Sequence, residues 1–171
     1  MFLWVLGIAA MLVVVDQATK WWAESALAGG EVIDVIGDWI QFRLIYNSGA
    51  AFSIGAEHTW VFAIASAVVV AAVTWIARRV RCWPWAVSLG LVLGGATTHL
   101  LDRLLREPGF ARGRVVDFID YFDLFIGNVA DIALVGGVFW AALLHLRGVE
   151  LDGSRGGDGK ETADTPDTAE G

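Results

Sequence analysis

This 171-residue chain has little cysteine and a low share of charged residues. Cys82 is the only cysteine, which excludes an intramolecular disulfide and a metal cluster held by several cysteines. Charged residues make up 18% of the sequence and apolar residues 56%, with a mean hydropathy of +0.58. This charged share is too low, and this apolar share too high, for a typical soluble domain. The composition therefore predicts an integral membrane protein.

Most of the net charge of −7 comes from the C-terminal segment, residues 148–171. Its acidic residues outnumber Arg155 and Lys160, and they are Glu150, Asp152, Asp158, Glu161, Asp164, Asp167 and Glu170. The rest of the chain is nearly neutral, so the charge indicates no basic partner, and we expect no nucleic-acid partner. The segment has no aromatic residue and is rich in Gly, Asp, Glu and Thr, so we predict that it is disordered, cytoplasmic and without a catalytic role.

Four apolar stretches approach the roughly 20 residues that a helix needs to cross about 30 Å of hydrocarbon. They cover residues 2–22, 59–77, 83–101 and 124–146. The third has Pro84 near its first turn, where a missing N–H does no harm, and Gly90, Gly94 and Gly95 for close helix contact. The predicted fold class is an all-α membrane protein, with four transmembrane helices in one domain over residues 1–147.

The second stretch contains no charged residue and ends at Arg78-Arg79-Val80-Arg81, a basic cluster typical of cytoplasmic loops. Because the chain has four predicted helices, a cytoplasmic position of this cluster places both termini in the cytoplasm. The loop on the opposite side of the membrane also contains basic residues, which weaken the difference in charge between the two sides; they are Arg103, Arg106, Arg112 and Arg114. A cleaved signal peptide ending near Ala26-Leu27-Ala28 is the alternative. The segment lacks a basic beginning and becomes polar too early for one, so we expect a retained helix.

The loop over residues 30–57 is too long for a simple helix connection. Apolar residues alternate with other residues from Ile40 to Tyr46, which predicts a small extracytoplasmic β-sheet. Small residues then surround one amide and one aromatic ring in Asn47-Ser48-Gly49-Ala50-Ala51-Phe52-Ser53. That composition permits close approach of another backbone, and an ordinary turn is the alternative interpretation.

Polar residues from separate segments fall at one predicted side of the membrane. They are Asp16, Lys20, Asn47, His99, Asp102, Arg103, Asp117, Asn128 and Asp131. Asp16 and Lys20 are spaced i, i+4, so they share a helix face and would form an ion pair or anchor the helix at the interface. His99 and Arg103 have the same spacing and would project together toward the bundle, whereas Asp102 and Arg103 could instead cap and anchor the third helix.

Asp117 and Asp131 lie beside or inside apolar sequence, which is a costly position for a carboxylate and indicates function. On one straight helix they would be about 21 Å apart, so a catalytic pair requires the chain to fold back between them. Asp120, Asp123 and Gly127 mark places where it could leave helical geometry, and we expect Asp120 and Asp123 to be solvated. Two carboxylates at one site divide into an acid and a base, whereas two separately solvated or structurally paired aspartates are the alternative.

Five motifs in this order resemble the bacterial lipoprotein signal peptidase family, also called signal peptidase II. They span most of the predicted membrane domain and are Asp16-Gln17-Ala18-Thr19-Lys20, Asn47 to Ser53, Gly94-Gly95-Ala96 running to Asp102-Arg103, Val115-Val116-Asp117-Phe118 and Asn128-Val129-Ala130-Asp131. Two positions depart from the family pattern. His99 stands where the family usually has Asn, and Gly127 stands where a Phe usually precedes the Asn of the last motif.

The resemblance implies an aspartic endopeptidase of the bacterial cytoplasmic membrane, with an active site toward the extracytoplasmic leaflet. It would cleave diacylglyceryl-modified prolipoproteins on the amino side of the lipidated cysteine, next to membrane lipid, without a metal or organic cofactor. Asp117 and Asp131 would be catalytic. The residues implied to bind substrate or order the site are Asn47, Gly49, His99, Arg103 and Asn128, and those implied to support it are Asp16, Lys20 and Asp102.

A small proton-coupled transporter or channel subunit is the alternative function, with Asp131 and His99 relaying protons. The chain lacks an evident inverted repeat of broken helices, and its polar residues gather at one leaflet instead of lining a path through the midplane. Both observations favour the peptidase. A monomer is the expected assembly, because one chain carries both aspartates.

Overall fold

The computed structural model describes residues 1–49 and 58–155. In these residues, four α-helices form a bundle, and four β-strands form one sheet at the end of the bundle. The helices are α1 (Phe2–Ala26), α2 (Thr59–Ala77), α3 (Trp83–Leu105) and α4 (Val129–Leu146). The strands are β1 (Val32–Ile36), β2 (Ile40–Asn47), β3 (Val115–Tyr121) and β4 (Phe125–Gly127). By length and composition, each of these helices could cross a membrane. The predicted fold class is confirmed in its helices and its small antiparallel sheet.

Helix α3 is the centre of the bundle and contacts α1, α2 and α4. Glycines make this possible because they let neighbouring helices approach closely. A Cβ added at Gly94 would lie 2.9 Å from Leu12 Cδ2 on α1, and one added at Gly95 would lie 2.6 Å from Leu134 Cγ on α4. The apolar core continues between α1, α2 and α3 through small and β-branched side chains such as Val5.

The sheet has the strand order β1-β2-β3-β4, with all neighbours antiparallel. The predicted strand near residues 40–46 is confirmed as β2. The pairing of β2 with β3, which matches Asn47 with Val115 and Ile40 with Tyr121, was not predicted. Apolar packing of Ala23 and Leu27 against Phe118 and Ile119 attaches the sheet to the end of α1.

Two sequence-based expectations about the segment between Asp117 and Asp131 need correction, and one is confirmed. Helix α4 begins at Val129 and not at residue 124, because residues 125–127 pair with β3 as a strand. The chain folds back between the two aspartates, as predicted, and it does so as a hairpin with Phe122 and Asp123 at positive φ in its turn. Asp120 is buried, not solvated, and forms an ion pair with Arg43 on β2, whereas Asp123 is largely exposed as expected.

The segment after α4 is also more ordered than predicted. Residues 149–155 fold back against the α2–α3 connection, where Trp85 Nε1 donates to the Val149 carbonyl at 2.9 Å and Arg81 N donates to that of Leu151 at 2.8 Å. These bonds hold backbone that composition alone marked as disordered. The rest of the predicted disordered tail, residues 156–171, lies outside the described residues, as does the part of the small-residue motif from Ala50 to Ser53.

Adjacent glycines on α4 provide a test of the bundle packing. A Cβ at Gly137 would lie 2.8 Å from Val92 Cγ2 and 3.0 Å from the Ser88 carbonyl oxygen of α3, whereas one at Gly136 would meet nothing within 4 Å. Gly137→Ala should therefore destabilise the protein by about 1–3 kcal/mol through overpacking. Gly136→Ala, the matched control, should be neutral or stabilise it by up to about 1 kcal/mol through helix propensity. Thermal unfolding in detergent measures both, and equal effects would contradict the close α3–α4 contact.

Candidate active site

The two candidate catalytic aspartates come from different elements and line one cavity of about 220 Å³ where the bundle meets the sheet. Asp117 is on β3 and is 4% exposed, and Asp131 is in the first turn of α4. The cavity is formed by residues of α2, α3, α4 and the sheet. They are Asn47, Gly49, Phe62, Ser66, His99, Arg103, Val115, Asp117, Phe125 and Asp131.

Asn128 joins the two carboxylates. It is the N-cap of α4, so its side-chain oxygen accepts from Asp131 N at 3.2 Å while Asp131 Oδ2 accepts from Asn128 N at 2.9 Å. The Asn128 amide group also donates to Asp117 Oδ1 at 2.6 Å. Asn128 is fully buried. Through these bonds, its side chain both caps the start of α4 and sets the positions of the two aspartates.

The other oxygen of each carboxylate has its own partner. Asn47 Nδ2 donates to Asp117 Oδ2 at 2.9 Å, and His99 Nε2 lies 3.1 Å from Asp131 Oδ1. Burial raises the pKa of Asp117 to about 6, and the nearby Asp131 carboxylate adds to the rise, against the hydrogen bonds from Asn47 and Asn128 that lower it. Between about pH 4 and about pH 6, Asp117 therefore holds a proton that an ordinary aspartate would have lost.

Arg103 orders the end of β2 at Asn47 and the two residues that follow it. Its buried guanidinium donates to the carbonyl oxygens of Asn47 at 3.1 Å, of Ser48 at 3.0 Å and of Gly113 at 3.1 Å, and it also donates to that of Gly49. Four carbonyl groups from two segments thus converge on one cation. In this structure Arg103 holds the chain beside Asp117 instead of capping α3.

The residues predicted to support the site form a buried ionic cluster behind the cavity. Lys20 Nζ lies 2.7 Å from both Asp16 Oδ2 and Asp102 Oδ2, and all three side chains are at most 1% exposed. The i, i+4 ion pair expected on α1 is present, with Asp102 of α3 as its third member. Asp16 Oδ1 also accepts from the backbone N–H of Ala130 at 2.9 Å, which attaches the first turn of α4 to the cluster.

Sequence reasoning missed several residues of this region. Gln17 and Thr98 hydrogen-bond within the ionic cluster, Arg106 pairs with Asp102, and Phe62 and Ser66 of α2 line the cavity. Gln17 lies inside the first motif, and Ser66 is a polar residue in an otherwise apolar stretch, so both left a weak signal. Phe62 left none, because one aromatic residue among apolar ones looks like any membrane-facing residue.

Comparison with known proteins agrees with this architecture. The sequence model of the family described as Signal peptidase (SPase) II matches residues 8–147. The chain belongs to the signal peptidase II family. The match makes it a peptidase of the membrane with several spanning helices, and it disfavours the transporter alternative. Within residues 1–49 and 58–155, no group of three or more His, Cys, Asp or Glu side chains is arranged to hold a metal ion.

Relatives of the signal peptidase II family cover most of the chain. It is 43% identical to the lipoprotein signal peptidase of Leifsonia xyli over 153 residues, which are 88% of this chain and 71% of the relative. It is 41% identical to that of Streptomyces griseus over 149 residues, covering 87% and 76%. A solved bacterial membrane enzyme superposes with a TM-score of 0.69 at 27% identity, covering 83% of this chain and 87% of that one.

The ionic cluster of this peptidase generates a stability prediction. Lys20→Met should destabilise the protein by about 3–5 kcal/mol, because it leaves Asp16 and Asp102 as buried carboxylates without their shared cation. Arg78→Met removes an exposed cation at the end of α2 and serves as the control, with little expected effect. Chemical or thermal unfolding in detergent checks both, and a Lys20→Met protein as stable as the wild type would contradict the role of the cluster.

Proposed function

We propose that this protein is an aspartic endopeptidase that removes the signal peptide from diacylglyceryl-modified prolipoproteins, cleaving on the amino side of the lipidated cysteine. The observation that carries the proposal is the arrangement around Asn128, which ties Asp117 and Asp131 to one cavity. Family membership supports the substrate class. A water molecule in the cavity would be the nucleophile, so the reaction needs no covalent intermediate with the enzyme.

The two aspartates would divide the acid and base roles. Asp117, with its pKa raised to about 6, is the better holder of a proton and would donate it to the scissile carbonyl oxygen. Asp131 lies in the first turn of α4, where the helix dipole favours negative charge. It would take a proton from the water molecule while the water oxygen attacks the carbonyl carbon. When the C–N bond breaks, the cysteine nitrogen would take the proton from Asp131, and Asp117 would recover its own.

Replacement of either aspartate tests this assignment. Asp117→Asn and Asp131→Asn should each lower cleavage of a purified lipidated precursor by at least about a hundredfold, because each removes one partner of the proton transfer. Asp34→Asn is the matched control, since Asp34 is an exposed aspartate of β1 that accepts a hydrogen bond from Gln41 on β2. Cleavage is followed on gels as loss of the signal peptide, after the folded state of each variant is checked by thermal unfolding. Wild-type turnover by either variant would refute the dyad.

We also propose that the protein works as a monomer in the bacterial cytoplasmic membrane, with both termini in the cytoplasm and the cavity at the extracytoplasmic leaflet. The Arg78-Arg79-Val80-Arg81 cluster between α2 and α3 supports this orientation. The sheet is at the other end of the bundle, near the cavity, where it would receive the part of the substrate that leaves the membrane.

Thiol labelling tests the orientation. In a Cys82→Ala background, Asp34→Cys on the exposed β1 strand should react with a membrane-impermeant maleimide on intact cells. Arg78→Cys, also exposed, should react only after the membrane is permeabilised. The reverse pattern would show that the cavity faces the cytoplasm.

A further inference from the structure

His99 is a titratable side chain at the cavity to which the two-aspartate mechanism assigns no step. It lies on α3, one turn before Arg103, and its Nε2 is 3.1 Å from Asp131 Oδ1. The side chains of His99 and Asp131 are 17% and 28% exposed, so neither is fully solvated. An imidazole whose Nε2 carries a hydrogen donates a hydrogen bond to a carboxylate oxygen at this distance.

Gly127 gives Asp131 the room for this contact. A Cβ at Gly127 would lie 2.8 Å from Asp131 Oδ2 and 2.8 Å from the Phe125 ring, so a side chain at this position would push the carboxylate or the ring aside. The two positions at which the chain departs from the motif pattern, His99 and Gly127, thus face opposite oxygens of one carboxylate.

We propose that His99 is a positioning residue of this peptidase, which holds Asp131 through Oδ1 and acts through that carboxylate on how Asp117 holds its proton. The inference rests on the proposed function.

The surroundings of His99 define how its charge acts. The groups that face it are Asp131 on α4, Asp117 on β3 and Arg103 on α3, with Asp16 and Lys20 of α1 behind them. Helix α2 contributes Phe62 and Ser66 to the lining, neither of which titrates near neutral pH. A positive imidazole offsets one of the two carboxylate charges and so lowers the pKa of Asp117, against the burial that raises it. Protonated His99 would therefore make Asp117 lose its proton at a lower pH.

The pH dependence of kcat/KM tests the proposal, because it reports the free enzyme. Activity requires the proton on Asp117, so it should fall as the pH rises through the pKa of that group. His99→Asn keeps an amide near Asp131 but cannot become positive. The falling limb of this variant should move to higher pH, because the influence of His99 that lowers the pKa of Asp117 is removed. A uniform loss of activity without any shift would show that His99 is merely structural and would overturn the proposal.

A second measurement does not depend on catalysis. The chain has three histidines, so the ring resonance of His99 in the full-length protein can be assigned by its loss in His99→Asn. Its chemical shift by NMR at a fixed pH should change in Asp131→Asn, because the ring loses its hydrogen-bond partner. Asp34→Asn should leave the resonance in place. An unchanged resonance in Asp131→Asn would overturn the pairing, whereas full cleavage activity in Asp131→Asn would instead refute the proposed function.

Discussion

The rest of the site depends on the buried ion pairs that Lys20 forms with Asp16 and Asp102. The ammonium group of Lys20 lies between Asp16 of the same helix and Asp102 of α3, and Asp16 in turn accepts from the backbone of Ala130 in α4. Two carboxylates and one cation cannot be buried in a bundle unless each is paired, because desolvation costs several kcal/mol per ion. The requirement that all three remain in contact therefore sets the relative positions of α1, α3 and α4.

The geometry of the proposed catalytic site follows from that arrangement. Once the first turn of α4 is attached to Asp16, its N-cap Asn128 stands beside β3 and can bind Asp117 while it caps Asp131. Arg103, one residue after Asp102 on α3, binds the carbonyl group of Asn47 at the end of β2 and that of Ser48, which follows it. The polar groups of the cavity are thus held from behind by buried bonds, which leaves the carboxylates facing the space where a peptide and a water molecule would bind.

Much of the fold could be predicted from local sequence. The charge-free stretch from Thr59 to Ala77 is a helix with those bounds, and the alternation from Ile40 to Tyr46 is a strand. The predicted start of α4 at residue 124 was wrong because Phe125 to Gly127 are apolar enough for a membrane helix but pair with β3. The burial of Asp120 was missed for a similar reason, since its partner Arg43 is 77 residues away in the sequence.

The sequence by itself determined the membrane class, the helices and the family, because apolar runs of sufficient length and ordered motifs are properties of neighbouring residues. It also singled out Asp117 and Asp131, because a carboxylate in apolar surroundings is energetically unfavourable and is retained there for a function. Only the tertiary structure decided which oxygen of each carboxylate meets Asn47, Asn128 or His99, and that Arg103 binds a loop. These contacts join residues far apart in the chain, and their geometry depends on how helices and strands pack, which no local pattern specifies.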